Sequence, residues 1–152
     1  MKGQTSPALV ARLRELCMAM PDANERISHG EPTWFAGKGK VFAMLDDHHH
    51  GSPHLSVWLP LPLGMQDTLV ELDDQRFFRP PYVGVKGWVG VVLDSRLDWA
   101  KLGELLRDAY VHVANKGQVQ RLLAPGALPA PSAKRAEPSK TPRAKRPASR
   151  RR

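Results

Sequence analysis

Apolar residues recur at Leu9, Leu13, Leu16, Cys17 and Met20, a spacing that gathers them on one face of a helix. Ser6 is placed to cap this helix, Pro7 suits its first turn, and Pro21 ends it. Residues 21–32, rich in Asp, Asn, Ser, Gly and Pro, read as loop. Two short runs follow: Thr33, Trp34, Phe35 and Ala36, then Val41, Phe42, Ala43, Met44 and Leu45. Between them stand Gly37, Lys38, Gly39 and Lys40, whose glycines permit a tight hairpin. After a polar connection, residues 54–59 alternate, with Leu55, Val57 and Leu59 on one side and His54, Ser56 and Trp58 on the other. The pattern predicts a three-stranded antiparallel meander, stopped by Pro60 and Pro62.

In the second half, Met65, Leu69 and Leu72 have helical spacing in a segment that ends near Asp74, and Phe77 and Phe78 are expected to plug its end into the core. Pro80 and Pro81 predict an extended approach to Tyr82 and Val83. Beyond the loop at residues 84–87, residues 88–93 alternate again, with Val89, Val91 and Leu93 on one side. The final helix is capped by Asp98 and stapled by Leu97 and Leu102, with Leu102, Leu105, Leu106, Ala109, Tyr110 and Val113 on its face. Gly117 is expected to close it, and Val119, Leu122 and Leu123 to form a half-turn that packs back. Helices at both ends with strands between them indicate an α+β fold, an antiparallel sheet packed against helices.

Charge divides the chain sharply. Residues 1–124 carry 14 Lys and Arg against 14 Asp and Glu. Residues 125–152 carry Lys134, Arg135, Lys140, Arg143, Lys145, Arg146, Arg150, Arg151 and Arg152 against Glu137 alone, which accounts for the whole formal net charge of +8. No apolar residue larger than Ala follows Leu128, so this segment has nothing with which to offset ordering entropy. Its prolines block a helix, and the expectation is a disordered polycation with a reach of about 30 Å. The two units are therefore a folded domain over residues 1–124 and a tail over residues 125–152. If all nine tail cations met phosphates, the log–log salt slope of binding would approach roughly −8. The plainer alternative is a solubilising appendage with no partner.

Cys17 is the only cysteine, which excludes an internal disulfide and suits a reducing cytosol. The residues after Met1 and Lys2 form no apolar leader, and no apolar run approaches the roughly 18 residues needed to span a bilayer. A cytoplasmic protein without a membrane partner is expected.

Candidate chemistry is sparse. His48, His49, His50 and His54, with Asp46 and Asp47, supply metal-ligand types, but neighbouring residues of a loop diverge and no distant ligands converge. A solvated loop is the simpler reading, and neither a resident metal nor a cofactor is expected. No phosphate-binding glycine loop, zinc-protease helix or nucleophile elbow is present. Cys17 lies on an apolar helix face, as a buried inert thiol does, and His29 with Glu31 reads as loop polarity more simply than as an acid–base pair. No catalytic residue is assigned. More suggestive are two glycine–lysine loops, Gly37 to Lys40 and Gly84 to Gly87, the second flanked by Arg76, Arg79 and Arg96 with only Asp94 opposing. Cations at such tips can grip phosphates, or simply keep a turn wet. Among Trp34, Trp58, Trp88 and Trp99, an exposed indole could stack on a base, although packing is the commoner fate.

The run FFRPPYVGVKGWVGVVLD (residues 77–94), followed by Trp99 and by Asp108, Ala109 and Tyr110, resembles the MmcQ/YjbR-like family. Residues 39–43 and the early Leu16, Cys17 and Pro21 share the likeness, which covers about residues 6–123. The resemblance implies a compact α+β fold, similar to frataxin-like folds and to the double-wing DNA-binding domain of a phage transcription factor. It implies no catalytic residue, and its DNA-binding label rests on that fold similarity. Many members carry Asn-Lys two residues after the tyrosine. Here Gly84 and Val85 stand there, and Lys86 follows one place later, an offset that would move the cation to the opposite face of an extended segment. The expected function is non-enzymatic binding of nucleic acid, DNA in a bacterial setting, with little sequence selectivity. Body contacts are expected from Lys38, Lys40, Arg79, Tyr82, Lys86 and Trp88, and most affinity from the tail. The alternative is a protein- or small-ligand-binding module that the tail only localises or solubilises.

Overall fold

The computed structural model describes residues 7–48 and 53–124. The order is α1 (Pro7–Met18), β1 (Ala23–Ser28), β2 (Glu31–Ala36), β3 (Val41–Asp47), β4 (Leu55–Leu59), α2 (Met65–Leu72), β5 (Phe77–Phe78), a 3₁₀ turn (Gly84–Lys86), β6 (Val89–Val92), α3 (Trp99–Val113) and α4 (Lys116–Leu123). The strands form one antiparallel sheet, ordered β1-β2-β3-β4-β6-β5. The expected meander is present as β2-β3-β4, extended by a strand on one side and two on the other.

Register explains the core. Leu45, Val57, Val91 and Phe77 oppose one another across four strands, and Leu59 opposes Val89 two residues along. All six are buried in one cluster with Leu102, Leu105, Leu106, Ala109 and Tyr110 of α3. Between β2 and β3 the register shifts, so that Trp34 faces Ala43 and Phe35 faces Val41. Phe42 is the extra residue of this bulge, and its ring meets Tyr110 edge-on at 5.3 Å. The Tyr110 hydroxyl donates to the Pro21 carbonyl at 2.6 Å, tying α3 to the loop after α1. Burial is the main cause that pushes this phenol up to about 12.

Several expectations are corrected. Residues 21–32 are not loop: they hold β1 and the start of β2, joined by His29 and Gly30, both at positive φ as a two-residue hairpin turn requires. β1 is polar because it is an edge strand. Its Glu25 accepts from Arg14 of α1 at 2.7 and 3.1 Å and from the Trp34 indole at 3.0 Å. All five β4 residues are buried, so the alternation seen there separates two covered faces, not core from solvent. Phe77 enters the core as expected, but as part of an edge strand. Leu72 ends α2 with 69% of its surface exposed.

The extended path expected at residues 82–83 is instead a turn. Tyr82 is left-handed (φ 65°), Gly84 N–H reaches the Pro80 carbonyl at 2.9 Å, and the 3₁₀ turn follows. With that segment coiled, the opposite-face argument for Lys86 loses its premise. Gly117 does not close α3, which ends at Val113. Asn115 starts α4 through reciprocal capping bonds with Gln118, and Gly117 lies inside the new helix. Of α4's apolar residues Leu122 is buried, whereas Leu123 is exposed. Ser6, His49, His50 and the whole tail lie outside the described residues. Among the described residues no helix is long and apolar enough to cross a membrane.

Candidate nucleic-acid interface

The strand pairing places both glycine–lysine loops at one end of the sheet. β2 ends and β3 begins there, and β4 runs antiparallel to β3 so that Leu59 finishes at the same end, opposite Val89 at the start of β6. Residues 37–40 and 84–87 are therefore neighbours along one rim.

The first tip is closed by Ala36 N–H to the Lys40 carbonyl (3.0 Å) and Gly39 N–H to the Ala36 carbonyl (2.9 Å). Gly37 suits this turn by its backbone, and a side chain there would also displace the end of Gln118. Its φ is +63°, and an added Cβ would lie 2.7 Å from Gln118 Nε2. Lys38 and Lys40 are exposed and make no ion pair among the described residues. Lys38 borders a polar hollow of about 590 Å³ that also involves Asn24, Arg26 and Gln118. The acid in that hollow, Asp22, is engaged by Gln118 at 3.3 Å and by the Arg121 guanidinium.

The second tip is held by a residue with no sequence signal of its own. Gln66 of α2 donates from Nε2 to the carbonyls of Gly84 (2.8 Å) and Trp88 (2.7 Å), and its Oε1 accepts from Arg79 Nε at 3.1 Å. Arg79 also pairs with Asp67 at 2.7 Å, an exposed pair that solvent screens. Lys86 is exposed and makes no ion pair among the described residues. Around it the rim exposes large apolar side chains: Leu63 (89%), Val85 (92%) and Tyr82 (75%). Leu63 and Val85 are additions to the expected set. The exposure of Val85 was not legible, because a valine between Gly84 and Lys86 suits a strand equally well.

The indoles divide as packing dictates. Trp34 and Trp58 are buried, and the Trp58 N–H donates to Ser56 Oγ at 3.1 Å. Trp88 and Trp99 are half-buried, and Arg12 stacks over Trp99 at 4.8 Å. Cys17 is fully buried, and burial pushes its thiol well up, away from a reactive thiolate. His29 is exposed beside Ser28, whereas Glu31 is buried and accepts from Asp47 N–H at 3.0 Å, so the two do not act as a pair. Among the described residues no group of three or more His, Cys, Asp or Glu could hold a metal ion.

The family model described as YjbR matches residues 18–112, which span both loops and the whole sheet. The chain belongs to the YjbR family. No curated protein matches it. This YjbR protein is also similar to a solved structure, the Deinococcus radiodurans protein DR2400, which carries a DUF419 domain. The two share 23% identity and a TM-score of 0.60, over 82% of this chain and 95% of the other. That likeness concerns the fold. The expected α+β architecture, an antiparallel sheet under helices, is what the YjbR chain has.

Proposed function

We propose that this YjbR protein is a non-enzymatic DNA-binding protein of low sequence selectivity. The observation that carries the reading is the charge partition: a body of zero net charge is joined to a 28-residue segment with nine cations and one acid. Such a segment binds phosphate without regard to sequence, because releasing condensed counterions favours any duplex. The body contributes shape through Lys38, Lys40 and Lys86. These cations lack acidic partners among the described residues, and Lys86 shares its loop with exposed Tyr82 and Val85. Arg79 acts chiefly as a brace for the second loop.

The test is a titration of the full chain, and of a chain ending at Ala124, against duplex DNA at several salt concentrations. The full chain is expected to show a steep slope, bounded by roughly −8 from the tail plus the share of the body lysines, and the shorter chain a shallow one. Undiminished binding by the shorter chain would remove the role of the tail. Binding by neither chain would remove the function.

A further inference from the structure

Arginines that are neighbours in sequence are parted by the fold. Arg79 and Lys86 stand on the loop rim, whereas Arg76, just before β5, and Arg96, just after β6, lie at the opposite end of the sheet. There they join Lys101 of α3 around a cleft of about 510 Å³. Its floor is apolar, formed by buried Phe77, Val91, Leu102 and Leu105, and Leu72 stands exposed at its edge.

The charges of this cleft are unequally committed. Asp73 Oδ1 accepts from the N–H groups of Gln75 and Arg76, and Asp98 Oδ1 from those of Ala100 and Lys101. Asp94 Oδ1 takes Arg76 Nη1 at 3.0 Å and Arg96 N–H at 2.9 Å, and Arg76 also donates to the Val92 carbonyl at 2.6 Å. Each acid is thus engaged by the backbone or by Arg76. The side chains of Arg96 and Lys101 make no ion pair among the described residues. Two uncommitted cations beside an apolar floor match an anion with a hydrocarbon body. A volume near 500 Å³ falls within the roughly 300–1,000 Å³ of small-molecule sites.

We propose that this cleft binds a small organic carboxylate, its anion between Arg96 and Lys101 and its apolar chain against Leu72 and the floor. A single negative charge fits best. Asp73 and Asp98 line the same cleft and repel a multiply charged phosphate, whereas one carboxylate is satisfied by two charge-assisted bonds. The site is separate from the DNA reading, and either can fail alone.

The test is an NMR amide titration of the full chain with hexanoate, hexanol and inorganic phosphate. Hexanoate is expected to shift Leu72, Arg96, Leu97 and Lys101 saturably and to leave Lys38 and Lys86 unmoved. Hexanol and phosphate should bind at least about tenfold more weakly, the worth of one charge-assisted bond. Arg96→Ala combined with Lys101→Ala should weaken hexanoate by a similar factor while the remaining spectrum stays in place. Leu72→Asn should weaken hexanoate without favouring phosphate. Absence of saturable hexanoate shifts, equal affinity for hexanol, or undiminished binding by the double variant would each overturn the proposal.

Discussion

Gly90 lies beneath the ring of Phe78, where a Cβ would come within 2.3 Å of Cζ. Gly103, inside α3, has nothing within 4 Å of the same position. Two identical substitutions should therefore move stability in opposite directions. Gly90→Ala forces the Phe78 ring off its strand and should cost about 1–3 kcal/mol, whereas Gly103→Ala removes helix-opposing backbone freedom and should stabilise by about 0.5–1 kcal/mol. Urea unfolding of both variants checks the signs. Glu25 offers a second test at this scale. The hydrogen bond from Arg14, chiefly, holds its carboxyl below the usual range. Its contribution is therefore present above the ordinary carboxylate range and disappears as pH falls through the lowered folded value. Because the Arg14 side chain is 44% exposed, solvent screening limits the pair, and Glu25→Gln should cost only about 1 kcal/mol at neutral pH. In unfolding curves recorded at successively lower pH, the gap between variant and parent should close.

At the scale of elements, α4 and β1 show how much local sequence conveys. Asn115 and Gln118 form the capping pattern that starts a helix, so the break after Val113 was written in the chain. Gly117 obscured it, because glycine two residues past an asparagine suits a helix end as well. Asn115→Ala should cost about 1 kcal/mol. It should also raise amide exchange around Asp22, because Gln118 and Arg121 of α4 both hold that side chain. β1 left no such trace. Asn24, Glu25 and Arg26 carry no apolar alternation, and the strand exists because β2 offers it a paired edge and Arg26 lies 3.7 Å over the Phe35 ring. Tyr82 and Val83 failed as an extended segment for a related reason. Two prolines exclude a helix but do not choose between a strand and a turn, and Gln66, remote in sequence, holds the turned form.

Across the whole molecule, charge and sheet order act together. Replacing Lys38, Lys40 and Lys86 by Ala in the full chain should reduce the salt slope of DNA binding by about 2–3, one for each phosphate that is no longer neutralised. An unchanged slope in equilibrium titrations would assign all phosphate binding to the tail. The amino-acid order alone determined the neutral body and its cationic extension, the α+β class, the capped α3, the β2–β3 hairpin and the buried Cys17. These follow from spacing and capping, which act within a few residues, and from composition along each segment. Tertiary structure decided which cations share a surface. Arg76 and Arg79 lie three positions apart, yet a passing β5 strand sends them to opposite ends of the sheet, while Lys38 and Lys86, far apart in the chain, reach one rim. Hydrogen-bonded register between distant strands sets such neighbours, and no periodicity along the chain encodes it.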